Sequence, residues 1–361
     1  MSGLTVDTAS IAYKRRSVSS IMVHVMVALL PGITIYALYI DSRLLFNILI
    51  ASTCALLFES VLVLLRRRAV LPVLKDASIV LAAILLVLSV PQSLPSWQLV
   101  FGVFVLCTLG KHIFGGLGHN PFNPAMVAYA VLIVSFPLTM TQWTEDNGLL
   151  DAPEIIKNAE SSSVNDKGQL TEWDSLSGAT PLDRLDTLKR EAGISSPPVD
   201  ASLTTPEQAL SAADTILSSD WLILSVAWLA GGLYLLFMRI ISWRIPVSVL
   251  ATLWCLYALY PLSTSTPVLP ATVALFSGAI MLGAFFIATD PVSAATSDKG
   301  KLVYGFGIAV LCFFIREFSA YPEGIAFAVL LMNMCVPLID HAFTRNRFSG
   351  NSIDDQTSNR P

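Results

Sequence analysis

Leu44-Leu-Phe-Asn-Ile-Leu-Ile-Ala-Ser-Thr-Cys-Ala-Leu-Leu-Phe-Glu-Ser-Val-Leu-Val-Leu-Leu65 runs for 22 residues with a single ionisable side chain, Glu59, and Arg66, Arg67 and Arg68 follow at once. The hydrocarbon core of a bilayer takes about 20 helical residues to cross, so this block reads as a membrane span with a basic anchor at one end. Similar apolar blocks lie on either side of it, at about 21–40, 77–95, 97–113, 124–142, 219–238, 245–262, 267–288, 302–318 and 323–342. Over all 361 residues, 54% are hydrophobic and only 13% charged, with a mean hydropathy of +0.66. A soluble domain carries about a quarter charged residues. The soluble-enzyme, nucleic-acid-binding and secreted disulfide-scaffold classes are thereby excluded. Nothing alternates with the two-residue period of a barrel strand, so the spans are expected to be helices. The expectation is an all-α polytopic membrane protein of about ten transmembrane helices.

The net charge of −4 hides a segregation. Residues 143–220 hold 15 of the 26 acidic residues and 5 of the 22 basic ones, and contain no spanning block. The basic residues of the short loops set the orientation. With the N-terminus in the cytoplasm, fifteen Lys and Arg residues fall inside, and only Arg43 and Arg316 lie at outer ends of spans. Both termini are then cytoplasmic. The first apolar block is too long for a signal peptide and lacks a small-residue cleavage site. The expected divisions are a cytoplasmic tail (1–20), five helices (21–142), an extracytoplasmic loop (143–218), five more helices (219–342) and a cytoplasmic tail (343–361). Cys54, Cys107, Cys255, Cys312 and Cys335 all fall in apolar blocks without C-x-x-C spacing and read as small buried hydrophobes.

The two halves resemble each other. Pro124-Ala-Met-Val-Ala-Tyr-Ala-Val-Leu-Ile133 aligns without gaps on Pro322-Glu-Gly-Ile-Ala-Phe-Ala-Val-Leu-Leu331. Ala28–Gly32 faces Ala227–Gly231, and Leu88–Pro91 faces Ala288–Pro291, at nearly the same offset. A repeat of five spans forces the second copy upside down, and inverted repeats keep their sites where helices are interrupted. Three interruptions are visible: Gly115–Pro124, Thr289–Ala294 and Ser319–Gly324. Prolines push the residue before them out of the α region, and irregular backbone at membrane depth must be satisfied by protein or by a cavity. These stretches read either as tight interhelical turns or as a cofactor or ion pocket, with Asn120 and Asn123 as amide partners and Asp290 as the charge.

Ionisable residues inside spans are costly and carry a functional expectation. Glu59 is the candidate for an ion path, with pairing to a neighbouring helix the alternative. His24 reads as a hydrogen-bonded interior histidine, and Lys111, Arg316 and Asp340 as side chains snorkelling from span ends. Trp97, Trp143, Trp221 and Trp243 sit where interface anchors do.

In the acidic loop, Asp174-Ser-Leu-Ser-Gly-Ala-Thr-Pro181 reads locally as a helix start, with Thr180 as N-cap, Pro181 at the first helical position and Asp183 at the third. The pattern Asp174, Ser177, Gly178, Ala179, Thr180 also resembles a flavinylation motif in which a Thr hydroxyl is joined to the phosphate of FMN. With Gly115–Val127 and Phe286–Ala294, it makes the chain similar to the D subunits of Rnf complexes, which are ion-translocating ferredoxin:NAD oxidoreductases of bacteria. The B subunits of sodium-translocating NADH:quinone reductases are the nearest cousins. The resemblance covers Ser17 to the tenth span.

It implies covalent FMN on Thr180, attached after export by a flavin transferase, and a second, non-covalent riboflavin near Asn120, Asn123 and Asp290. It also implies membrane, flavoprotein and iron–sulfur partner subunits, a bacterial inner-membrane location with loop 143–218 in the periplasm, and coupling of electron transfer to movement of Na⁺ or H⁺. Alone, the chain would be inactive. A free N-terminal turn at Thr180 favours a phosphate, so cap and phosphoester need the same geometry. The competing class is an inverted-repeat transporter or channel without a redox role, which has no need of the Asp174–Thr180 motif.

Overall fold

The computed structural model describes residues 17–116, 118–141, 143, 220–262, 269–318 and 324–349. Thr180 and the rest of its motif, Asp174, Ser177, Gly178 and Ala179, lie outside the described residues, as do 1–16 and 350–361 of the expected tails and most of 319–324. The described chain is helical, and no strand occurs among the described residues.

The first half comprises α1 (Val18–Ile35), α2 (Arg43–Leu65), α3 (Val70–Leu74), α4 (Ser78–Ser89), α5 (Ser96–Val105), α6 (Pro124–Ser135) and α7 (Pro137–Met140). The second comprises α8 (Asp220–Phe237), α9 (Arg244–Leu259), α10 (Ala271–Phe276), α11 (Ile280–Leu282), α12 (Asp298–Phe318) and α13 (Ile325–Ser349). Three helices run on as wider π-helical turns: α1 over Tyr36–Ile40, α5 over Leu106–His112 and α11 over Gly283–Ile287. Every apolar block named above contains helix. Five stretches among the described residues are long and apolar enough to cross a membrane: Val18–Ile40, Arg43–Leu65, Asp220–Phe237, Arg244–Leu262 and Ile325–Phe343. The chain is therefore a multi-pass membrane protein.

The remaining blocks are short or broken for local reasons. Val90-Pro91 ends α4 in extended backbone, with Val90 at ψ 154°. Asn123 caps α6 by accepting from the Ala125 amide at 3.0 Å, and Pro124 takes the first helical position. The block 267–288 splits because Ser277 is extended and Gly278 left-handed at φ +62°, which only glycine adopts without strain.

Helix pairing follows one scheme in both halves. α2 packs on α4 and α5 as α9 packs on the α10–α11 unit and on α12; the far end of α5 meets α6 as α12 meets α13. At the boundary between the halves, α1 crosses α8 and α6 crosses α13. The α1–α8 crossing falls on Gly32 and Gly231. A Cβ on Gly32 would lie 2.1 Å from the Trp228 ring, and one on Gly231 would lie 2.1 Å from the Ala28 carbonyl. Lipid tails are as apolar as leucine, so close approach at small residues, rather than hydrophobic exclusion, holds such helices together.

Candidate functional site

Two pockets and one cavity flank the crossing helices. Their contents distinguish an end rich in Lys and Arg, the basic end, from the end where segment 144–219 leaves and returns, the loop end.

At the basic end, Glu59 of α2 is completely buried. Its Oε1 accepts from Lys111 Nζ at 2.7 Å, and its Oε2 meets His112 Nε2 at 2.9 Å. Lys111 also donates to Ser78 Oγ at 3.0 Å, and Ser78 donates onward to Asp76 Oδ1 at 2.7 Å. Lys111 and His112 close the π-helical turn of α5, a geometry frequent at functional sites. Lys111 is only 3% exposed, so it does not snorkel as expected from sequence. The cause is Glu59: breaking such a buried pair leaves an uncompensated charge, at a cost of about 3–5 kcal/mol.

Beside this chain of contacts lies the first pocket, with about 460 Å³ of atom-free space, part of it open to the outside. Asn120, Asn123 and Asp290, distant in sequence, line it together with Ser78, Lys111 and Met22. Asn123 reaches across the boundary between the halves, donating from Nδ2 to the Ile287 carbonyl at 3.3 Å. Asn120 donates to the Phe122 carbonyl at 2.9 Å, while its Oδ1 is buried and accepts no hydrogen bond from the described residues. Asp290 accepts from Ser293 Oγ at 2.7 Å and from the Ser293 amide at 3.2 Å. Underneath, the buried carboxamide of Asn333 in α13 contacts Tyr304 Oη at 2.6 Å. With its oxygen turned to the Asn123 amide at 3.1 Å, its nitrogen also reaches the Ser293 and Val329 carbonyls.

At the loop end, the second pocket has about 860 Å³ of atom-free space, likewise partly open. Tyr36, Tyr129, Trp143, Trp221 and Trp228 and the broken backbone Ser277–Ala279 line it. Tyr36 and Trp221 meet edge to face at 6.3 Å, as do Trp228 and Phe286 at 6.0 Å. Arg316 pins the break: Nη1 donates to the Ala274 carbonyl at 3.2 Å and Nη2 to the Ser277 carbonyl at 3.1 Å. At 5% exposure it too departs from the expected snorkelling, because the split helix leaves carbonyls that need donors. Arg43, the other basic residue at this end among the described residues, pairs with buried Asp41 at 2.9 Å.

The two pockets are built from corresponding positions about 200 residues apart. Met22 and Ser78 at the basic end match Trp221 and Ser277 at the loop end, at the same offset as Ala28–Gly32 and Ala227–Gly231.

The NQR2, RnfD, RnfE family model matches residues 5–349. The chain belongs to this family. It is 41% identical over 344 residues to a Vibrio cholerae protein named as the D subunit of an ion-translocating oxidoreductase complex, covering 93% of this chain and 96% of that one. Proteins of the same name from Erwinia tasmaniensis and Escherichia coli are 42% and 40% identical over 346 residues, each covering 94% of this chain and 96% of the relative.

Of the residues singled out from sequence, His24 donates from Nδ1 to the Ser20 carbonyl at 2.7 Å and stacks on Tyr234, an interior role. Asp340 accepts from the Thr296 amide at 3.1 Å, holding the turn before α12. Sequence reasoning does not single out Ser78 or Asn333. Asn333 is nonetheless visible as the one amide in Met332-Asn-Met334 of an apolar block, whereas nothing in the sequence marks Ser78.

Proposed function

We propose that this chain is the flavin-carrying membrane subunit of an ion-translocating oxidoreductase complex, passing electrons between partner subunits. The observation that carries the reading is the pair of corresponding pockets at opposite ends of the crossing helices. FMN, joined as a phosphoester to Thr180, would supply one-electron redox chemistry, and the pocket walled by tyrosine and tryptophan would hold its ring. Two features support this. Trp143 and Trp221 line the pocket, so the segment carrying the Asp174–Thr180 motif departs from and returns to its rim. Its aromatic walls also suit a planar ring of drug-like size.

A second, non-covalent flavin fits the basic-end pocket. The buried Asn120 Oδ1 lacks a donor among the described residues, and the flavin ring edge has an N–H to offer. Asn123 and Asp290 would fix the rest of that edge, and Glu59 with Lys111 and His112 would serve the ion path. The basic end faces the cytoplasm of a bacterial inner membrane and loop 143–218 the periplasm, where a flavin transferase acts. Neighbouring flavoprotein and iron–sulfur subunits exchange electrons with the chain.

The test is fluorescence of the denatured chain on a gel after co-expression with a flavin transferase. The expected result is a fluorescent band that Thr180→Ala abolishes without loss of folded protein; a dark wild-type band ends the covalent reading. For the second flavin, Asn120→Leu is expected to lower acid-extractable flavin at least twofold, and unchanged content would remove Asn120 from that site.

A further inference from the structure

The cavity behind Glu59 is not used by the flavin reading. It offers about 250 Å³ to water-sized occupants, and its wall includes Arg66, Arg68, Lys111, His112, Gly115 and His119, with Glu59 and Asp76 the acidic members. Both carboxylates are already engaged: Glu59 by Lys111 and His112, Asp76 by the amide and hydroxyl of Ser78. Among the described residues no carboxylate forms a salt bridge with Arg66 or Arg68, and the three cations of the wall, Arg66, Arg68 and Lys111, outnumber its two carboxylates. Arg66 donates one bond to the His112 carbonyl. His112 is itself nine-tenths buried, and its Nδ1 has no hydrogen-bond partner among the described residues. A buried ring nitrogen on the wall of a cationic cavity points to a polar occupant.

The surroundings say which kind. Arg66 follows directly on the last residue of α2, at the edge of a membrane span. Leu64, Leu65, Ile113 and Phe114, next in sequence to the cavity wall, are exposed apolar side chains. A cationic recess at a span end, rimmed by apolar surface, matches a phosphodiester with acyl chains attached. Basic pockets between transmembrane helices hold anionic lipid head groups in this way.

We infer that this cavity binds the head group of an anionic phospholipid from the leaflet at the basic end. Arg66 and Arg68 hold the phosphate, His112 Nδ1 accepts from or donates to the head group, and the acyl chains lie along Leu64, Leu65, Ile113 and Phe114.

The test uses the full-length chain in a zwitterionic detergent, titrated with phosphatidylglycerol or phosphatidylcholine, with bound lipid counted by native mass spectrometry. Phosphatidylglycerol is expected to bind about tenfold more tightly than phosphatidylcholine. Arg66→Gln/Arg68→Gln should erase that preference, while Lys75→Gln, a nearby exposed cation outside the cavity wall, should keep it. Millimolar inorganic phosphate should not displace the lipid. Equal binding of the two lipids, an unaffected double variant, or equal loss in Lys75→Gln would each overturn the inference. Displacement by inorganic phosphate would overturn the lipid assignment and leave a free-phosphate site. Should the double variant unfold, Arg68→Gln alone, at a side chain with no hydrogen bond to the described residues, decides in its place.

Discussion

At the basic end, Ser78, Asn120, Asn123 and Asp290 surround their pocket with a hydroxyl, two carboxamides and a carboxylate; at the loop end, Tyr36, Tyr129, Trp221 and Trp228 surround theirs with rings. The framework is common to both. In each, a serine stands beside a left-handed residue before the fourth helix of its half (Ala77 at φ +58° before α4, Gly278 at φ +62° before α11), and a basic side chain from the fifth helix region binds that serine. On the proposed flavin reading, the difference teaches how one backbone arrangement would serve two modes of retention. Polar walls hold a ring edge by hydrogen bonds and so need no covalent tether. Aromatic walls bury a ring but fix its orientation weakly, and a tether that keeps it at high local concentration does the rest.

The largest test of that contrast is Thr180→Ala. It should remove all gel fluorescence while leaving acid-extractable flavin in place; loss of both would show that the pockets are not independent. Next is the polar framework itself. Lys111→Met strands the Glu59 carboxylate and should cost about 3–5 kcal/mol in unfolding measured in detergent. Adding Glu59→Gln should restore most of it, and a double variant as unstable as the single would deny the pair its role. Asn333→Leu leaves the Asn123 amide and Tyr304 hydroxyl without their partner, with an expected loss of about 1–3 kcal/mol and a parallel drop in extractable flavin. The smallest effect is that of Asn123→Ala, where losing the α6 cap should lower stability by about 1 kcal/mol; a thermal midpoint that does not move would show that the cap is dispensable.

Much of this is legible in the sequence, and the reasons for the rest are physical. Periodic apolar blocks announce the helices because bilayer thickness sets their length. The match of Ala28–Gly32 with Ala227–Gly231 marks the place where α1 and α8 touch, since close crossings demand small residues. Asn120, Asn123 and Asp290 stand out because prolines and polar groups at membrane depth require partners, and they do share a pocket. Lys111 and Arg316 are the residues that sequence position misplaces. Position within a span suggests where a side chain could reach water, but the Glu59 carboxylate and the Ser277 carbonyl that draw these residues inward come from other helices.

The π-helical turn Leu106–His112 has a further consequence, in terms of chain length. A π turn accommodates about one more residue than the α turn it replaces, and each α residue advances about 100° around the axis. Deleting a single residue between Leu106 and Gly110 would let the turn close to α geometry with Lys111 and His112 still facing Glu59. Hydropathy and every charge would be preserved. A deletion there is thus expected to leave the Glu59 contacts standing, whereas a deletion in the α part of the same helix, Ser96–Val105, would rotate them away by about 100°.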